Sequence, residues 1–115
     1  MEQRNFKPFG SISSLTLGGG GIGNVWGETS RKEAIETVNL AYESGINHFD
    51  VAPMYGKGEA ERVLGIALKN KQLEGIKITT KCRLGSPSDS KVYDVLNDSL
   101  CRSLETMELE KVNLF

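Results

Sequence analysis

Three side chains that could form one acid–base site follow two predicted strands. Residues 46–50 have the pattern of a strand that ends at Asp50, and Tyr55 lies in the turn-rich segment after it. Residues 76–81 have the pattern of a further strand, which ends at Lys81. Because parallel strands present their carboxyl ends at one edge of the sheet, where α/β proteins bind their ligands, we expect the three side chains to meet there.

A carboxylate, an ammonium group and a phenol in one place suit proton transfer to a carbonyl oxygen. An ammonium group beside a phenol favours the phenolate form, and a carboxylate keeps that ammonium group charged and in position. Tyr55 would then be the general acid. One alternative stays open, in which Lys81 attacks a carbonyl group as the Schiff-base nucleophile of a lyase. That alternative leaves Asp50 and Tyr55 without a role.

A glycine-rich segment comes before these strands. Five of the six residues from Gly18 to Gly23 are glycine, which permits close backbone approach and positive φ angles. A phosphate-binding loop would continue into Gly-Lys-Ser/Thr or a Rossmann fingerprint, and neither follows. The segment is therefore predicted to be a flexible loop with no helix directly after it. Trp26 could pack on a helix as an aromatic side chain of the loop.

Several reactive residue types are predicted to be structural. His48, the only histidine, shares a strand face with Asp50 one layer lower, and is expected to be a hydrogen-bonded interior residue. Cys82 and Cys101 form neither a disulfide nor a metal-binding pattern, so we expect reduced packing residues and no metal site. Glu59 suits the N-terminus of a helix.

The elements that position these residues alternate between strand and helix patterns. Apolar segments at 6–9 and 12–17 flank Gly10-Ser11, which predicts a β-hairpin with its turn there. The other predicted elements are a helix from the Ser30–Glu33 capping box to Gly45, a helix from Glu59 to about Asn70 with Gly65 packed on the sheet, a helix over 92–107, and a strand that begins at 111. Strict alternation indicates a parallel sheet with right-handed crossovers.

The strand, loop and helix around Asp50 resemble the signature of the aldo-keto reductases. That signature is an Asp-x-Ala-x-x-Tyr-Gly core followed by a glutamate and a glycine-containing helix, and here it reads Asp50-Val51-Ala52-Pro53-Met54-Tyr55-Gly56, then Glu59 or Glu61, then Gly65. The family's lysine closes the next strand, and Lys81 matches it. The resemblance implies an α/β fold, namely the N-terminal half of a (β/α)8 TIM barrel with a leading β-hairpin.

The resemblance also implies an NADP-dependent oxidoreductase. A hydride would move between the nicotinamide and the carbonyl of an aldehyde, ketone or sugar. Tyr55 would supply and recover the proton, Lys81 would tune Tyr55, and Asp50 would hold Lys81. The implied cofactor-binding residues are Gly20, Gly21 and Asp50, and the implied substrate-pocket residue is Trp26.

Length limits what the chain could do alone. A complete barrel takes about 250 residues, so residues 1–115 are predicted to form one partial barrel domain. The family's catalytic histidine follows the fourth strand and has no counterpart here. We therefore expect the isolated chain to bind cofactor weakly and to turn over slowly or not at all. Unpaired strand edges favour self-association, so a non-catalytic, associating or regulatory subunit is a further alternative.

Composition excludes other classes of partner. A net charge of −1 provides no electrostatic attraction for nucleic acid or an anionic membrane. No apolar run approaches the roughly 20 residues of a membrane span, and the N-terminus lacks the apolar core of a signal peptide. A cytoplasmic protein that acts on a small carbonyl compound is the expectation.

Overall fold

The computed structural model describes all 115 residues as a β-hairpin followed by a three-stranded parallel sheet with helices. The strands are β1 (Gln3–Phe6), β2 (Gly10–Ser13), β3 (Leu17–Gly18), β4 (His48–Asp50) and β5 (Lys77–Thr79), and the helices are α1 (Gly19–Ile22), α2 (Arg31–Glu43), α3 (Glu59–Leu68) and α4 (Val92–Met107). A 3-10 turn over Asp89–Lys91 leads into α4. The predicted order of elements is confirmed as far as α4, with α1 as an addition.

The hairpin is present, but its turn was predicted in the wrong place. β1 and β2 pair antiparallel with Gln3 opposite Ser13 and Phe6 opposite Gly10, so Gly10 lies in a strand and residues 7–9 form the turn. The reason is Pro8. Proline has no N–H to donate to a strand ladder and its φ angle is fixed near that of a turn.

The parallel sheet has the order β3-β4-β5, with Gly18 beside Asp50 and Asp50 beside Thr79. β5 therefore ends two residues before Lys81, earlier than predicted. The predicted fourth strand is present only as a parallel bridge between Thr79 and Leu114, where the N–H of Thr80 donates to the Leu114 carbonyl oxygen at 3.1 Å. All three strands thus point their carboxyl ends toward one rim.

Helix α2 begins and ends as predicted. The Ser30 N–H donates to Glu33 Oε2 at 3.0 Å, and the Glu33 N–H donates to Ser30 Oγ at 3.2 Å, which completes the capping box. The Ser30 hydroxyl also donates to Glu33 Oε2 at 2.6 Å, and this bond, together with the one from the Ser30 N–H, lowers the pKa of the Glu33 carboxyl. At the other end Gly45 adopts a φ of +83°, in the left-handed region that favours glycine.

The core lies between the sheet and helices α2 and α3. Its buried side chains are Ile22, Ala34, Val38, Ala41, Phe49, Val51, Ala60, Val63, Leu64, Ala67, Leu68, Ile78 and Met107. Phe49 is 1% exposed and points away from its neighbours His48 and Asp50. The sheet therefore separates this core from the face that carries the polar side chains.

Two predictions about α3 and α4 are wrong. Gly65 of α3 packs on the backbone of Met107 in α4 and not on the sheet. A Cβ on Gly65 would lie 2.7 Å from the Met107 carbonyl carbon and Cα. Met107 is buried, whereas Leu100 and Leu104 on the same face are only half-buried. Cys101 is exposed, so its prediction as a packing residue is wrong, since it points away from α3.

Both cysteines are free thiols. None of the four helices combines the length and apolar character that crossing a bilayer requires.

Candidate active site

Asp50 and Lys81 form an ion pair at the rim of the sheet. Lys81 Nζ donates to Asp50 Oδ1 at 2.6 Å and to the Val51 carbonyl oxygen at 3.0 Å. The side chains of Asp50 and Lys81 are 34% and 37% exposed, so a solvent-borne ligand can reach them. Two acceptors from the end of β4 thus fix the ammonium group above the sheet.

Tyr55 completes the group. Lys81 Nζ lies 5.3 Å from the centroid of the half-buried Tyr55 ring, within the range of a cation–π contact. The Tyr55 N–H donates to the Ala52 carbonyl oxygen at 3.1 Å, and this turn fixes the segment between β4 and α3. Gly56 then adopts a φ of +62° directly against the Gly23 carbonyl oxygen. The structure thus brings together the three side chains that were expected to meet.

The glycine-rich segment was predicted to be a flexible loop, but part of it is helical. Gly19–Ile22 form the one-turn helix α1, which packs against the segment that carries the candidate site. A Cβ on Gly19 would lie 3.1 Å from the Asp50 carbonyl oxygen, and one on Gly23 would lie 3.0 Å from Tyr55 Cβ. These close approaches favour glycine, because a Cβ at either position would push on the neighbouring atoms. The segment therefore supports the backbone on which Asp50 and Tyr55 are mounted.

Open space adjoins the backbone of two glycines in this segment. No atom lies within 4 Å of a Cβ built on Gly18, which pairs with Asp50, or on Gly21. Gly20 differs, because the Trp26 ring covers it at 2.8 Å from its Cβ position. Trp26 itself is 81% exposed. The cofactor-binding role of Gly20 and Gly21 and the substrate-binding role of Trp26 stay predictions.

His48 has the structural setting that was expected. Its Nδ1 lies 3.0 Å from Thr16 Oγ1 and its Nε2 lies 2.9 Å from Thr79 Oγ1. A neutral imidazole has one donor and one acceptor, and two hydroxyl groups satisfy both. Burial lowers the pKa of His48 most, the Asp50 carboxylate raises it in part, and the Lys81 ammonium group lowers it further.

In a series from about pH 7.5 to about pH 5.5, the protein is expected to lose stability below about pH 6.5 because of His48. Its pKa in the folded state lies below the unfolded value of about 6.5. The stabilisation is therefore complete above about pH 6.5 and is lost as the pH falls through the folded pKa. The urea midpoint, measured across this range, should fall in the native protein and stay nearly level in His48→Gln. An equal slope in both would contradict the prediction, since most carboxyl groups titrate lower.

A buried carboxylate that had no assigned role supports the lysine. Glu61 is 2% exposed, and its Oε1 accepts a hydrogen bond from Thr80 Oγ1 at 2.6 Å. Thr80 directly precedes Lys81, so α3 is tied to the backbone beside the ion pair. Glu61 lies three residues before Leu64 and seven before Leu68, which was a signal that it faces inward.

Glu61→Gln is expected to lower the free energy of unfolding by about 1 kcal/mol. The amide oxygen can still accept from Thr80, but a hydrogen bond to a charged group is roughly twice as strong as a neutral one. Urea unfolding at neutral pH measures the change. Glu105→Gln, on an exposed face of α4, is the matched control and should have no effect. Equal stability of the two variants would show that the contact contributes nothing.

Glu59 links two helices. Its carboxylate accepts from Arg31 Nε at 2.6 Å and from Arg62 Nη1 at 2.9 Å, which joins the start of α2 to α3. The hydrogen bond from Arg31 is the main reason why the pKa of Glu59 is lowered, and it raises the pKa of Arg31. Glu59 is thus structural, and the site is formed by the residues that surround Lys81.

Known proteins are similar to this chain in sequence and in architecture. The model of the Aldo/keto reductase family matches residues 14–115. L-galactose dehydrogenase from Arabidopsis thaliana is 30% identical over 105 residues, which are 90% of this chain and 33% of that protein. D-threo-aldose 1-dehydrogenase from Pseudomonas sp is 33% identical over 82 residues, covering 70% of this chain and 25% of that protein.

A solved structure gives the same result. The thermostable aldo-keto reductase Tm1743, in complex with the inhibitor epalrestat, has a TM-score of 0.77 and 28% identity, and the match covers 97% of this chain and 40% of that one. The fold is therefore part of a (β/α)8 barrel, with polar side chains at the carboxyl ends of its strands. The chain belongs to the aldo/keto reductase family. It spans about a third of the length of L-galactose dehydrogenase.

Proposed function

We propose that the protein is an NADP-dependent carbonyl oxidoreductase in which Tyr55 is the general acid and base. The observation that carries the proposal is the rim cluster, where Lys81 contacts Asp50 at 2.6 Å and the Tyr55 ring at 5.3 Å. Family membership supports nicotinamide chemistry, since aldo-keto reductases bind nicotinamide cofactors. Dehydrogenases among the relatives support the reaction class.

The bound nicotinamide would supply or accept the hydride at the carbonyl carbon. In reduction the Tyr55 hydroxyl donates its proton to the carbonyl oxygen, and in oxidation it takes that proton back. The Lys81 ammonium group stabilises the phenolate that remains after proton transfer. Asp50 and the Val51 carbonyl oxygen keep Lys81 in place.

The cofactor ring would lie on the glycine backbone beside Asp50, at Gly18 and Gly21. Trp26, mostly exposed above α1, would contact the substrate. The side chains of Asp50 and Lys81 are 34% and 37% exposed, so a small aldehyde, ketone or sugar carbonyl would be able to reach the rim.

The lyase alternative is less well supported. A Schiff base requires a neutral amine with a free lone pair. Here the Lys81 ammonium group donates to two oxygens at 2.6 and 3.0 Å, and both contacts favour the charged form.

The test is carbonyl reduction at high protein concentration with NADPH, and separately with NADH, because slow turnover is expected of the chain alone. Alcohol formed and cofactor oxidised should be equal in amount, with NADPH the better cofactor. A parallel incubation with carbonyl compound and borohydride, without cofactor, detects the lyase. A borohydride-trapped adduct on Lys81 without any cofactor oxidation would overturn the oxidoreductase proposal.

A further inference from the structure

A cavity lies between α3 and α4, beside the loops that follow β4 and β5. Its volume is 510 Å³. The residues of its wall that could interact with a charged ligand include Lys57, Glu61, Arg62, Arg83, Arg102 and Ser103. These residues come from both helices and from the loops that follow β4 and β5.

Positive charge is concentrated in this wall. Four cations and one carboxylate line the cavity, although the whole chain carries a net charge of −1. Lys57, Arg83 and Arg102 take part in none of the ion pairs of the protein, and only Arg62 is paired, with Glu59 at 2.9 Å. Unpaired cations that converge on one concave surface raise the local concentration of anions.

A buried hydroxyl group without a partner lies in the same wall. Ser103 is 1% exposed, and its Oγ is the single buried side-chain polar atom that has no hydrogen-bond partner. Buried polar atoms are nearly always satisfied, and an orphan costs free energy unless a ligand or water completes it. Ser103 can donate to an anion that enters from the cationic side.

The carboxylate of Glu61 is the one opposing charge. It is 2% exposed and accepts the hydrogen bond from Thr80 at 2.6 Å, so it is engaged with the sheet. Three unpaired cations outnumber it. The cavity as a whole therefore favours a ligand with more than one negative charge.

We propose that this cavity binds the phosphate group of a small phosphorylated molecule. A phosphate monoester carries a charge of about −1.5 to −2 at neutral pH and has three strong acceptor oxygens. Guanidinium groups bind such oxygens with two parallel hydrogen bonds, which Arg83 and Arg102 can provide, and Ser103 adds a third donor. The site is independent of the oxidoreductase proposal, because it uses none of Asp50, Tyr55 or Lys81.

The ligand would touch both loops that carry the rim cluster. The wall includes Pro53 and Met54, directly before Tyr55, and Cys82, directly after Lys81. Occupancy of the cavity would thus restrain the two segments that hold the candidate acid–base residues.

Calorimetric titration of the chain with inorganic phosphate and with glycerol 3-phosphate, at constant ionic strength, tests the proposal. Saturable binding of both is expected, and tighter binding of glycerol 3-phosphate would show that the cavity accepts the organic part as well. If only inorganic phosphate binds, the assignment to a phosphorylated molecule is wrong. Absence of saturable binding at millimolar concentrations would overturn the proposal entirely.

Variants separate a built site from diffuse attraction. Arg83→Gln with Arg102→Gln should raise the Kd about tenfold or more, as expected for the loss of charge-assisted hydrogen bonds. Lys7→Gln with Lys111→Gln removes the same charge from two unpaired cations outside the cavity and should change the Kd less than twofold. Equal weakening in both double variants would contradict a specific site.

Ser103→Ala provides an independent measurement. Removal of an unpartnered buried hydroxyl should leave the thermal midpoint of the free protein unchanged or raise it, while phosphate binds more weakly. Weaker binding by a free protein that is no less stable cannot come from a folding defect. Unchanged phosphate affinity in Ser103→Ala would remove Ser103 from the site.

Discussion

Tyr55→Phe should reduce the rate of carbonyl reduction by about 10²–10⁴-fold, the usual contribution of a positioned general acid. The ring, its packing and its cation–π contact with Lys81 remain in the variant. Only the hydroxyl that donates the proton is lost. The rate of alcohol formation at saturating cofactor measures the effect, with urea unfolding as the check that the variant folds.

Tyr93→Phe is the matched control for this change. Tyr93 lies on α4 and is 75% exposed, so its hydroxyl can be removed without effect on the rim. It should retain the native rate within about twofold, the range expected of a surface substitution that changes nothing near the reacting groups. A Tyr55→Phe enzyme as fast as Tyr93→Phe would show that the proton comes from another group.

The rim cluster could be predicted because its geometry follows from topology. Once strands and helices alternate, right-handed crossovers make neighbouring strands parallel, and their carboxyl ends meet at one edge. Asp50 ends β4 and Lys81 follows β5. The correct order of elements was therefore enough to predict that the two side chains meet, as their 2.6 Å contact shows. Alternation of side chains along β4 likewise placed His48 on the same face as Asp50.

The glycine-rich segment and the hairpin turn were harder to predict, for different reasons. Glycine permits a loop and a helical turn almost equally, so the packing of Gly19 on Asp50 decides between them. That contact joins residues distant in the sequence. For the hairpin, only Gly10-Ser11 was taken as the turn, whereas Pro8 decides its position because it cannot pair in the ladder.

Contacts between helices were the least predictable. Gly65 was predicted to pack on the sheet and Glu61 was given no role, because the periodicity of α3 does not identify what lies opposite either residue. The partners are Thr80 for Glu61 and the backbone of Met107 for Gly65. Each depends on how α3 is placed against later parts of the chain, which sets the distance between helix axes.

Gly65→Val is expected to lower the free energy of unfolding by about 3 kcal/mol. Two effects oppose each other at this position. Glycine inside a helix costs about 1 kcal/mol relative to alanine, and part of that would be regained. Overpacking of a filled core costs about 1–3 kcal/mol, occasionally more.

Overpacking should dominate because the obstacle is backbone. A Cβ on Gly65 would lie 2.7 Å from the Met107 carbonyl carbon and Cα, and no change of rotamer moves those atoms. Valine adds two further methyl groups, so α3 and α4 must separate, and Met107, now 1% exposed, would lose its packing. Urea unfolding measures the loss.

Ile66→Val, at a neighbouring position that is 45% exposed, introduces valine without a clash and should stay within about 0.5 kcal/mol of the native protein. Equal stability of the two valine variants would mean that α4 does not lie against Gly65 in solution.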